Sequence, residues 1–91
     1  MDQVKIGKFI AACRRKASMT QLQLAEKLNI TDRAVSKWET GRAMPDTSIM
    51  LELCSLLGVT VNDLLSGEVV TVEHYRTEME KHLLDALRQN E

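Results

Sequence analysis

Aromatic side chains are nearly missing from this chain of 91 residues, which holds one Trp, one Tyr and one Phe. Any core must therefore be packed from Leu, Ile, Val and Met. Proline occurs once, glycine four times, and β-branched runs are few, so little interrupts helical periodicity and the composition leans all-helical. There are only two cysteines, Cys13 and Cys54. Both fall on apolar faces of helical patterns, which reads as buried free thiols rather than a disulfide framework or redox pair. No apolar run approaches membrane-spanning length, and the N-terminal MDQVKIGKF lacks the apolar stretch of an export signal, so a cytoplasmic, non-membrane protein is expected. A net charge of −1 gives no overall attraction to a polyanion.

The distribution of that charge is more informative than its sum. Residues 1–67 carry nine basic side chains (Lys5, Lys8, Arg14, Arg15, Lys16, Lys27, Arg33, Lys37 and Arg42) against seven acidic ones. Residues 68–91 carry three basic against six acidic. A mildly basic front with an acidic tail fits nucleic-acid binding through a local patch, with weak, salt-sensitive affinity for non-specific DNA.

The patch has an obvious place. Thr20 to Gly41 reads TQLQLAEKLNITDRAVSKWETG, two short helical patterns separated by three residues. Leu24, Ala25 and Leu28 share one face of the first, Gln21–Leu28, with Thr20 and Gln23 forming a capping-box signature. The second, Asp32–Thr40, has Thr31 as its cap and Gly41 as its stop. Val35 and Trp38 lie on its apolar side; Arg33, Ser36, Lys37 and Thr40 make a polar stripe opposite. Helices joined so tightly cross steeply and present the second one's polar stripe outward, a helix-turn-helix signature that makes double-stranded DNA the first partner to test.

Around this stretch the chain supplies more short helices. Ile6, Phe9, Ile10, Cys13 and Ala17 form an apolar stripe on a first helix from about Val4 to Lys16. After the basic loop closed by Pro45, a helix over Thr47–Leu57 buries Ile49, Met50, Leu53, Cys54 and Leu57, with Gly58 at its left-handed cap. Thr60-Val61-Asn62-Asp63 opens a fifth, ending near Ser66, with Leu64 and Leu65 inward and Gly67 closing the unit. Two segments result, 1–67 and 68–91. In the tail, Val72, Tyr75, Met79, Leu83 and Ala86 or Leu87 recur at helical intervals to about Gln89, an amphipathic stripe that needs a partner surface. Dimerisation, packing back on the domain and linking to a further region all satisfy it.

Thr20-Gln21, Leu24-Ala25, Val35-Ser36, Trp38-Glu39 and Gly41 together make residues 6–66 resemble the Cro/CI-type (XRE-like) helix-turn-helix domain of phage and bacterial transcriptional repressors. The resemblance implies an all-α, five-helix, lambda-repressor-like DNA-binding domain whose third helix enters the major groove; it does not reach the C-terminal amphipathic helix. One departure is Asn29, where the turn often has Gly; Asn tolerates left-handed backbone. Carried over by position, Asp32, Arg33, Ser36 and Lys37 face base edges. Arg33 and Lys37 suit guanine O6 and N7, while Asp32 suits either cytosine N4 or the helix's own positive end. Gln21, Thr31, Thr40 and Arg42 fall where phosphates are held. The resemblance also implies that Arg14 pairs with Glu39, orienting the recognition helix and aiming Arg14 at a phosphate. Trp38, with Ala25 and Val35, is assigned to the core and not to base stacking.

The leading expectation is a sequence-specific regulator, a repressor acting as a homodimer on a near-palindromic operator, since one helix reads too few base pairs. The alternative is an antitoxin-like or scaffold module whose tail, residues 68–91, binds another protein. Catalysis is not expected. His74 and His82 lie two helical turns apart, too far for one metal ion, and no phosphate loop, cysteine cluster or nucleophile triad is present. No cofactor is implied.

Overall fold

The structure, a computed structural model, describes residues 1–70. Five helices make up the described residues: α1 (Gln3–Lys16), α2 (Gln21–Leu28), α3 (Asp32–Glu39), α4 (Thr47–Leu57) and α5 (Val61–Ser66). No strand occurs among these residues. The amphipathic helix expected beyond Val70 lies outside them.

Each helix starts on a side chain that relieves an orphan backbone donor. Asp2 accepts from the Val4 and Lys5 N–H groups, Thr31 from Ala34, and Asp46 from Ser48. Thr20 with Gln23 and Thr60 with Asp63 form full capping boxes. The far ends turn through left-handed residues. Asn29, at φ 56°, fills that role in the helix-turn-helix itself, letting the Ile30 N–H reach back to the Ala25 carbonyl. Ser18, at φ 59°, does the same after α1. The left-handed region is costly for a serine, and nothing in the sequence marked that position.

α1 lies at the centre, packed on α3, α4 and α5, while α2 braces α3 and α4. The core joins Ile6 and Ile10 of α1, Leu24, Ala25 and Leu28 of α2, Val35 and Trp38 of α3, Leu53, Cys54 and Leu57 of α4, and Leu64 of α5. Cys54 is buried and Cys13 half-buried, both as free thiols, and burial pushes the pKa of each upward.

Several local expectations are corrected. α3 ends at Glu39, one residue early, with Thr40 as its C-cap. Ala17 is exposed as the C-cap of α1 and not part of its stripe, while Ile49, Met50 and Leu65 are only half-buried. Nor does Gly67 end the packed chain. The Val70 N–H donates to the buried Asp63 carboxylate at 2.8 Å, and Glu68 pairs with Lys5 at 3.4 Å. Asp63 therefore caps its own helix with one oxygen and holds the departing chain with the other. These backbone donors lower its pKa from the ordinary value.

Candidate nucleic-acid interface

What a helix can offer to DNA depends on how firmly its opposite face is held. In α3 the inner side is Val35, fully buried, and Trp38, only 6% exposed, packed with Ala25 in the core. With that side fixed, the 3.6-residue repeat turns Asp32, Arg33 and Lys37 to solvent, with Ser36 half-buried between them. Among the described residues, neither Arg33 nor Lys37 is in an ion pair. Asp32 sits in the first turn of α3 but does not cap it, because Thr31 Oγ1 already accepts from the Ala34 N–H at 3.2 Å.

The C-terminal end of α3 is held by a buried charge cluster. Arg14 Nε donates to Glu39 Oε2 at 2.7 Å and Nη2 donates to Oε1 at 2.9 Å, a bidentate pair. Nη1 donates to the Met19 carbonyl at 2.7 Å, and Gln21 Nε2 donates to Glu39 Oε1 at 3.1 Å. The Glu39 carboxylate thus ties α3 to α1 and α2, while the Arg14 guanidinium adds the α1–α2 connector through Met19. Burial alone would raise the Glu39 pKa, but hydrogen bonds from Arg14 and Gln21 outweigh it and hold the group below its ordinary value. The Arg14 pKa rises because its hydrogen bonds to Glu39 outweigh burial.

The residues expected at phosphates are placed unequally. Thr31 accepts a hydrogen bond through its oxygen, so its own proton remains available to donate. Thr40 is the reverse: its hydroxyl donates to the Ser36 carbonyl at 2.8 Å. A phosphate can only accept, so Thr40 would have to turn away from Ser36 to serve one. Arg42 is exposed just past α3, its N–H bonded to the Lys37 carbonyl. Gln21 gives one Nε2 proton to Glu39 and keeps the other. Thr20 caps the Gln23 N–H, leaving the backbone N–H groups of Gln21 and Leu22 at the open end of α2. Arg14, expected both at Glu39 and at a phosphate, is 7% exposed, with three nitrogens engaged inside the protein.

The geometry is that of two short helices packed together across a tight turn, the second anchored from behind, and a helix-turn-helix family model matches residues 10–64. The chain belongs to the Cro/CI-type (XRE-like) helix-turn-helix transcriptional regulators, a family of DNA-binding proteins. It is 31% identical over 86 residues to the HTH-type transcriptional regulator ImmR of Bacillus subtilis (strain 168), covering 94% of this chain and 68% of ImmR. It is 40% identical over 68 residues to the HTH-type transcriptional activator BcrR of Enterococcus faecalis, covering 75% of this chain but only 29% of BcrR. The crystal structure of the clp gene regulator ClgR from C. glutamicum superimposes with a TM-score of 0.65 at 24% identity, over 74% of this chain and 86% of that one. That last likeness speaks for the fold alone.

Two features of the interface escaped sequence reading. Gln21 belongs to the Glu39 cluster, a role that only the packing of α2 on α3 creates. Gly7 lies where α1 passes α3: a Cβ there would collide with the Trp38 carbonyl oxygen and stand 3.0 Å from that of Glu39. A lone glycine inside a helical pattern was the available signal.

Proposed function

We propose that this regulator represses transcription by binding a near-palindromic DNA operator as a homodimer, with α3 of each subunit in the major groove. Arg33 and Lys37 donate to guanine edges, Ser36 contacts a base edge, and Asp32 accepts from cytosine or favours the positive helix end. Thr31, the N-terminal backbone of α2 with Gln21, and Arg42 hold phosphates, joined by Thr40 on rotation of its hydroxyl. Arg14 acts from behind, by orienting Glu39 and the end of α3, rather than on DNA.

The observation that carries this reading is the contrast between the two sides of α3. Its inner side is buried and ion-paired, whereas its outer side keeps two cations exposed without partners among the described residues. Repression needs no surface beyond this one, since a domain seated in a promoter's groove excludes other proteins from it. Two copies set about 34 Å apart would read two half-sites, which gives the specificity that one short helix lacks.

The test is a titration of the full chain against random genomic fragments at moderate salt, followed by footprinting of any fragment that is retained. A fragment bound more than tenfold above background, with two protected half-sites one helical turn apart, is the expected result. Uniform weak binding to all fragments would sink the specific-regulator reading, and a single protected half-site would sink the dimer.

A further inference from the structure

On the side of α1 turned away from α3, an apolar groove of about 510 Å³ runs between α1 and the α4–α5 turn. Phe9, Cys13 and Lys16 form one wall, Leu57 and Val59 the other, and Val69 lies at its edge. Phe9, Cys13 and Val59 are half-buried, and Val69 is 65% exposed. Apolar surface of this kind in a small domain is costly to leave wet.

We propose that this groove is the docking site of the chain's own residues 71–91, bound in cis through Val72, Tyr75 and Met79. Three observations converge on that occupant. First, the described chain leaves the domain at the groove: Val69 borders it, and the Val70 N–H is pinned 2.8 Å from Asp63 Oδ1. Residue 72 therefore starts within two residues of the site. A tether that short gives an effective concentration of about millimolar or more, which a second copy in dilute solution does not match. Second, the sequence beyond Val70 carries Val72, Tyr75, Met79 and Leu83 at intervals of three and four residues, one apolar stripe with charges between.

Third, the charges are complementary. Residues 68–91 hold six acidic side chains against three basic, and Lys16 lines the groove. The first of those acids, Glu68, is already paired with Lys5 of α1. α1 thus receives the start of the tail, and Val69, the next residue, lies at the groove's edge.

Cys13, in the groove wall, is a built-in reporter, with buried Cys54 as the control for folding. The full chain is alkylated with N-ethylmaleimide and the rate at each cysteine read by peptide mass spectrometry. Tyr75→Asp with Met79→Asp is expected to raise the Cys13 rate at least tenfold while Cys54 stays slow. Protection in the unmodified chain is expected to be the same across a hundredfold range of protein concentration. An unchanged Cys13 rate in the variant overturns the docking. Protection that grows with concentration overturns the cis arrangement in favour of a second copy. The milder pair Tyr75→Ser with Met79→Ser is expected to raise the Cys13 rate by a smaller factor. It decides the matter if Cys54 also accelerates in the first variant.

Discussion

Gly7 of α1 packs directly beneath the Trp38 carbonyl of α3, with no room between them for a Cβ. This contact sets how closely α3 rides on the central helix. Three residues further along α3's approach, Gly41 repeats the device: at φ +75° it sits where a Cβ would be 2.9 Å from the Val4 side chain. The last turn of α3 and the residue that leads away from it are thus both seated on the first two turns of α1. Arg14, two turns beyond Gly7, completes the attachment by gripping Glu39.

Gly7→Ala tests the close approach, because propensity and packing predict opposite signs. Alanine in a helix interior ordinarily gains about 0.5–1 kcal/mol over glycine. Here the added methyl meets backbone oxygen, which cannot rotate aside, so overpacking of about 1–3 kcal/mol prevails. Urea denaturation is expected to show net destabilisation. A variant as stable as the parent, or more so, would mean that α1 and α3 slide apart freely.

Arg14→Ala leaves Glu39 buried with only Gln21 to answer its charge. With the pair's side chains 9% and 5% exposed, the loss is expected to be about 3 kcal/mol, the cost of an orphaned buried charge and not of a surface contact. Arg14→Lys keeps the charge but not the two parallel donors or the reach to Met19, so it recovers only part of the loss. A loss below about 1 kcal/mol for the alanine variant would place the pair among ordinary surface bridges.

The same cluster predicts acid sensitivity. Glu39 and Asp63 both have folded-state pKa values below their ordinary ones. Each therefore contributes stability that is fully present above the unfolded-state carboxylate range, about pH 4 to 4.5, and is lost as pH falls through the lower folded value. Denaturation midpoints measured from pH 7 downward are expected to be level until that range and then drop. Glu39→Gln is expected to be less stable at pH 7 but to fall less steeply in acid. An equal slope in parent and variant would remove Glu39 from the account.

The helices were legible in sequence because each carries its own punctuation. Thr20, Thr31 and Thr60 stand three residues before the N–H groups that they cap, and Asn29 and Gly58 stand where the chain turns left-handed. The Arg14–Glu39 contact followed from family resemblance, since no local pattern links residues 25 positions apart. Gln21 at Glu39, Asp63 at Val70 and Gly7 at Trp38 depend on where separate elements meet. Short-range periodicity carries no record of such distances. The open side of α3 was the easiest part of the interface to read, because one residue step of 100° separates what the core takes from what it leaves.

Arg33→Ala and Lys37→Ala should separate base reading from a merely solvated helix face. Both side chains are exposed on α3 and support no described ion pair, so folding stability is expected to change by less than about 0.5 kcal/mol. On DNA, a bidentate guanine contact by Arg33 predicts a loss of about 1–3 kcal/mol per half-site, together with relaxed selection at one base position. Arg42→Ala is the contrasting case, expected to weaken all fragments alike and to flatten the salt dependence by about one counterion. Binding measured across a randomised half-site at two salt concentrations distinguishes them. If Arg33→Ala also weakens every sequence equally, then Arg33 contacts phosphate, and sequence reading falls to Ser36, Lys37 and Asp32.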